Sequence, residues 1–162
     1  MSSEMWHRQH PMRIVVSEFI SLDGVVQAPG GPEEDTDGGF RHGGWSMPFF
    51  DPEVMGPSIN ETAQRTDALL YGRRTWQVMA GAWPARAGDP FADWINAVEK
   101  HVVSNTLSEA DLVDELNLMI EPIALGGGKG IFPADGEARR FELVSATTAA
   151  TGVQVCRYQR AW

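Results

Sequence analysis

Short apolar runs alternate along this chain with longer amphipathic stretches, and the alternation predicts its elements. Met12 to Ile20 is rich in β-branched residues and predicts a central strand. Asp51-Pro52-Glu53 opens a helix to about Arg65, with Asp at the N-cap, Pro in a first turn bent again by Pro57, and Val54, Ile59 and Ala63 facing inward. Ala68 to Tyr71 predicts a buried strand broken by Gly72, and Arg73-Arg74-Thr75 starts a short helix that fails at Gly81 and Pro84. Asp89-Pro90 repeats the N-cap and proline signal, and Phe91, Ile95 and Val98 then share one helical face. Lys100 to Leu107 predicts a strand running into a polar turn, and the alternation of Leu116, Leu118 and Ile120 predicts another ending at Glu121-Pro122. Arg140 to Ala146 and Val153 to Gln159, joined across Thr151-Gly152, predict a closing antiparallel pair. Helices alternating with strands predict an α/β fold.

Between the first strand and the first helix lies a long irregular segment, Ala28 to Phe50, dense in glycine, proline and acids. Loops of this length in a compact domain are usually lids or disordered. It ends in Trp45, Phe49 and Phe50, which either stack on a planar ring or pin the loop to the body of the protein. His42 has no second His or Cys at ligand spacing, and no metal site is expected.

Composition narrows the classes. The 162 residues are 43% hydrophobic and 22% charged, which fits one globular domain with a substantial core. A net charge of -9 argues against a nucleic-acid partner. The single Cys156 cannot form an internal disulfide, so a cytoplasmic setting is the default, and no apolar run suits a membrane span. Met1 to Pro11 is polar and reads as a flexible tail, in which His7 and His10 carry no further signal.

The candidate chemistry centres on Ala68 to Trp76. A strand that ends in glycine and feeds a helix places free backbone N–H groups at the carboxyl edge of a sheet, where open α/β sheets bind ligands. Arg73 and Arg74 add forked donors suited to phosphate. The same residues also fit an ordinary strand–turn–helix joint. A second glycine-rich run, Leu125-Gly126-Gly127-Gly128-Lys129, lacks the Walker spacing and reads as a backbone loop beside a pocket, with Lys129 either a contact to a ligand phosphate or solvated.

Leu70-Tyr71-Gly72-Arg73-Arg74-Thr75 resembles the Gly-Arg-x-Thr signature of the dihydrofolate reductase superfamily. More closely, it resembles the branch related to the C-terminal reductase domain of bacterial riboflavin-biosynthesis bifunctional deaminase-reductases. Ser21-Leu22-Asp23-Gly24, Val103-Ser104 and Leu125-Gly126-Gly127-Gly128 follow that family's motifs in order, so the resemblance runs from Met12 to Gln159. It implies a dihydrofolate reductase-like three-layer α/β sandwich on a mixed, mostly parallel sheet with a C-terminal antiparallel hairpin. It also implies an NADPH-dependent reductase of a pterin-like or aminopyrimidine-like heterocycle, such as 5-amino-6-(5-phosphoribosylamino)uracil, working as a cytoplasmic homodimer. On this resemblance Gly72, Arg73, Arg74, Thr75, Ser104, Asn105 and Thr106 would bind the cofactor. Trp45, Phe49, Phe50, Gly127 and Lys129 would face the substrate, and Asp23 is the best candidate acid, with a proton carried through water the equal alternative.

The chain departs from the family at Ser108 to Asp111. Relatives carry there a further strand–helix unit, about 30 to 40 residues long, whose glycine-rich turn would hold the cofactor pyrophosphate. Its loss would leave the central sheet a strand short. The alternative expectation is therefore a non-catalytic ligand-binding module with an incomplete cofactor site.

Overall fold

The computed structural model describes residues 12–103 and 112–161. The tail expected at 1–11, the Ser104-Asn105-Thr106 part of the cofactor site and the shortened segment at 108–111 lie outside the described residues. Within them the elements follow one another as β1 Val15–Ser21, α1 Met55–Gln64, β2 Ala68–Gly72, α2 Arg73–Ala82, α3 Pro90–Ala97, β3 Glu99–Val103, β4 Glu115–Glu121, β5 Phe141–Thr148 and β6 Gln154–Arg160.

The strands form two sheets rather than one. β1, β4, β6 and β5 lie side by side in that order, and β2 pairs with β3 separately. β1 and β4 run parallel, from Val15 opposite Glu115 to Ser21 opposite Glu121, so their carboxyl ends open at one edge. β6 joins β4 antiparallel, and β5 completes the predicted hairpin with a register shift between Leu143 and Ser145. β2 and β3 are parallel, Ala68 opposite Glu99. Parallel and antiparallel pairings are thus equal in number among the described strands. The chain leaves the four-stranded sheet after β1 and returns to it at β4.

The period of two along β4 decides where the core sits. Glu115, Asn117, Met119 and Glu121 point to the face covered by α1 and the segment before it. Met119 packs there with Met55, Ala149 and Val153, and Phe19, Phe49, Val54 and Ile59 close around them. Asn117 donates from Nδ2 to Thr62 Oγ1 at 3.0 Å, fixing α1 against the strand. Asp51 does cap, but it caps a turn of its own: its Oδ1 accepts from the N–H groups of Glu53 and Val54 at 3.0 and 3.3 Å. The regular helix therefore begins at Met55, later than predicted, with Pro57 in its tolerant first turn. Asp89 caps α3 as expected, accepting from Phe91 and Ala92, and α3 buries Ala92 and Ile95. α2 buries no residue fully, and Trp76 stays 37% exposed.

Glu115 is the one carboxylate of β4 held between arginines. Its Oε2 receives Arg13 at 2.7 Å and Arg65 at 3.3 Å, while the side chain itself is fully buried. Burial pushes its pKa up, but the Arg65 hydrogen bond and the charges of Arg65, Arg13 and Arg157 override this and hold it below the ordinary value. A carboxylate with a depressed folded pKa stabilises above the unfolded value, and that contribution is lost as pH falls through the folded one. Glu115→Gln is therefore expected to lower stability at pH 7 by about 2 kcal/mol and to weaken the acid limb of the pH–stability curve. Urea denaturation between pH 3 and 7 measures both.

Candidate functional site

At the carboxyl ends of β1 and β4 the chain turns twice, and the two turns are sewn together. The Ser21–Gly24 turn closes with Gly24 N–H donating to Ser21 O at 3.0 Å, Gly24 taking φ 85°. Leu22 N–H donates to Ile123 O at 2.7 Å and Val26 N–H to Lys129 O at 2.9 Å, so the turn lies along the Leu125–Lys129 loop. Gly128 has φ 141°, and a Cβ there would meet Val25 Cγ1 at 2.5 Å. Glycine is required at that point by both conformation and space.

Asp23 is the clasp between the two turns. It accepts from Ser21 Oγ at 2.6 Å, from Leu125 N–H at 3.0 and 3.1 Å on its two oxygens, and from Gly126 N–H at 2.7 Å. The Ser21 hydroxyl first, then the two amides, hold its pKa down to about 2. In this arrangement Asp23 joins the two turns.

The segment expected to be an irregular lid is internally folded. Gln27, buried at its root, donates from Nε2 to the carbonyls of Asp35 and Asp37 at 3.1 and 3.0 Å, and its Oε1 accepts from Lys129 N–H at 3.1 Å. Glu34 Oε2 accepts from Gly30 and Gly31 N–H at 2.6 and 3.0 Å. Trp45 is turned inward, 5% exposed, with its indole N–H on Gln27 O at 2.7 Å. Phe49 packs against the Met119 core, whereas Phe50 keeps 41% of its surface exposed. The aromatics thus separate: Trp45 and Phe49 pin the segment to the body, and Phe50 alone is left open. His42 lies edge-on to Phe40 at 5.6 Å, and no group of metal-ligating side chains occurs among the described residues.

The second half of the site is the start of α2. Gly72 is its N-cap with no side-chain capping bond, and Arg73, Arg74 and Thr75 are exposed on its first turn. An added Cβ at Gly72 or at Gly127 meets nothing within 4 Å among the described residues, so they leave space beside both backbones. An uncapped helix start with exposed cations has the donors that an anionic group requires. Arg74 is nonetheless engaged: its Nη2 reaches Asp37 Oδ1 at 2.9 Å. Lys129 Nζ sits 2.7 Å from Asp35 Oδ2 and 2.9 Å from Asp37 Oδ2. The structure therefore brings Arg74 and Lys129 together through two loop acids that had carried no role. A groove of about 330 Å³ lies elsewhere, between α1 and the β4–β6–β5 surface, lined by Arg65, Asn117 and Arg157 among others. None of its lining residues belongs to the two turns or to the start of α2.

Glu121, at the end of β4, had also carried no role. It is fully buried; its Oε1 accepts from Ser46 Oγ at 2.9 Å, and its Oε2 has no hydrogen-bond partner among the described residues. Burial pushes its pKa up to about 7 against the opposing Ser46 bond. Glu18 in β1 is likewise pushed up to about 7, by burial and by the charge of Glu34. The odd-numbered spacing Glu115, Asn117, Met119, Glu121 was the signal that could have placed this carboxyl on the inward face.

The parallel strands β1 and β4 thus end beside a glycine loop, with the start of α2 nearby. Residues 101–155 match the family model of the RibD C-terminal domain. In fold the chain is similar to a candidate riboflavin biosynthesis protein from Shewanella sp. PV-4, with a TM-score of 0.64 and 18% identity over 93% of this chain and 100% of that one. It is also similar to a pyrimidine reductase-like protein from Corynebacterium diphtheriae, with a TM-score of 0.54 and 12% identity over 93% and 92%. RibD of Acinetobacter baumannii aligns with a TM-score of 0.50 and 14% identity over 93% of this chain and 58% of its own. No match was found among curated proteins. The resemblance read from the motifs thus recurs in sequence over residues 101–155 and in fold over nearly the whole chain.

Because Glu121 and Glu18 have raised pKa values, the charged forms favour the unfolded chain, and stability is lost as pH rises from the ordinary 4.5 toward 7. Glu121→Gln is expected to remove its share of that decline, on the order of 3 kcal/mol, leaving the share of Glu18. Thermal or urea unfolding at pH 5 and pH 8 gives the difference directly.

Proposed function

We propose that this chain is an NADPH-dependent reductase of the RibD type, acting on an aminopyrimidine-like or pterin-like heterocycle of the 5-amino-6-(5-phosphoribosylamino)uracil kind. The observation that carries the reading is the uncapped start of α2 at the carboxyl end of β2, with Arg73, Arg74 and Thr75 on its first turn. Those residues fit an anionic cofactor group: Gly72 puts no side-chain cap on the first N–H groups, and space is open beside it among the described residues. When bound, NADPH supplies a hydride to the heterocycle.

The chain's own part is to bind and orient. Arg73, Arg74 and Thr75 hold phosphate oxygens, Phe50 offers a flat apolar surface, and Gly127 leaves room for close approach of a ring. Asp23 keeps the two turns in register while the substrate lies against them. The homodimer belongs to this proposal. β5 is the outer strand of its sheet, and Leu143 and Val144 on it are 56% and 43% exposed, an edge suited to pairing with a second copy. A cytoplasmic setting is part of the same reading; among the described residues no helix is long and apolar enough to cross a membrane.

The division of the strands into two sheets favours a second reading, a ligand-binding module without catalysis. A fluorescence titration separates the two. Saturable NADPH binding, weakened at least tenfold by Arg73→Ala with Arg74→Ala while NADH is little affected, supports the cofactor assignment, since bidentate arginine–phosphate contacts are the ones removed. Equal losses for both nucleotides refute the arginine assignment, and no binding leaves the module reading in place. Sedimentation of the same samples at twice the 17.8 kDa chain mass is expected for the dimer.

A further inference from the structure

The geometry points to one anion site built jointly by Arg74 and Lys129, which the chain closes with its own Asp35 and Asp37. This deepens the proposed cofactor site and rests on that reading for the identity of the ligand.

Arg74 and Lys129 come from distant parts of the sequence, yet they meet on opposite oxygens of one carboxylate. Asp37 Oδ1 receives Arg74 at 2.9 Å and Oδ2 receives Lys129 at 2.9 Å. Asp35 adds 2.7 Å to Lys129 and 3.9 Å to Arg74. The acids are set in place beforehand: Asp35 Oδ1 accepts from Asp37 N–H at 3.1 Å, and Gln27 holds both backbone carbonyls. A carboxylate bridged by a guanidinium and an ammonium stands where an oxyanion of a ligand would stand. Asp35 is nearly buried, at 10% side-chain exposure, while Arg74, Lys129 and Asp37 are each about half exposed, so Asp37 can be displaced from solvent and Asp35 stays as the hinge.

Two consequences follow. A phosphate group that takes Arg74 must displace Asp37, and the segment carrying Asp37 is then released from α2. The same segment carries Arg41, which is exposed and offers trypsin a cleavage point four residues beyond Asp37. The ion pair works as a latch whose key is a phosphate anion.

The test uses the full chain, trypsin and inorganic pyrophosphate as probe, with the fragment ending at Arg41 followed by mass spectrometry. Asp37→Asn is expected to speed cleavage after Arg41 roughly fivefold without any ligand, the scale for losing partly exposed pairs. Pyrophosphate is expected to speed cleavage of the native chain to a similar extent, and to do nothing further to Asp37→Asn. In Arg74→Gln, cleavage is expected to be fast already and indifferent to pyrophosphate. Unchanged cleavage in Asp37→Asn, or a native chain that pyrophosphate protects or leaves unaltered, overturns the latch. NADPH binding without faster cleavage keeps the reductase reading and removes the latch. Faster cleavage with pyrophosphate and no NADPH binding keeps the latch and removes the reductase reading.

Discussion

The carboxylate of Asp23 is the constraint on which the rest of the site depends. Two glycine-rich turns at the ends of parallel strands have little intrinsic shape, because glycine makes many backbone conformations accessible. One acceptor that gathers a hydroxyl and two amides converts them into a single body. Everything placed on those turns inherits that rigidity: Gln27, which orders the acidic loop; Lys129, which closes it; and Gly128, whose close approach to Val25 depends on the two turns staying in register. An ionised carboxylate serves this purpose better than a neutral acid, since charged acceptors make the stronger bonds. In the structure Asp23 is used for architecture.

Much of the fold was legible because local signals and packing agree. Asp89-Pro90 predicted a capped helix, and the cap is there; Thr151-Gly152 predicted a hairpin, and β5 and β6 form one. Asp51 shows where such reading runs out. Its side chain caps a single turn, and the regular helix waits for Met55, a difference decided by packing into the Met119 cluster rather than by propensity. The separation into two sheets was not legible in the strand patterns themselves. A strand's hydrophobicity does not say which neighbour it lacks.

The site was legible only in part, for a physical reason. Arg74 and Lys129 were picked out singly because cations beside glycines suggest phosphate. Their convergence depends on Asp35 and Asp37, whose acidity within Gly-Gly-Pro-Glu-Glu-Asp-Thr-Asp resembles that of any solvated loop. Trp45 had two open readings, and the hydrogen bond from its indole to Gln27 O decides for the one in which it pins the loop. Contacts between segments nearly a hundred residues apart, such as Lys129 with Asp35, are set by tertiary geometry and leave no periodic trace.

The two-sheet arrangement carries a consequence for how the chain stores its stability. The core of Met55, Met119, Ala149 and Val153 belongs to the four-stranded sheet and α1, while β2, β3 and α2 contribute no fully buried residue. Cooperative unfolding units follow buried contacts. The half that presents Arg73 and Arg74 keeps its buried residues on α3, Ala92 and Ile95, and is joined to the four-stranded sheet by the Asp35–Asp37 ion pairs among other contacts. Breaking those ion pairs would loosen one half from the other without touching the Met119 core.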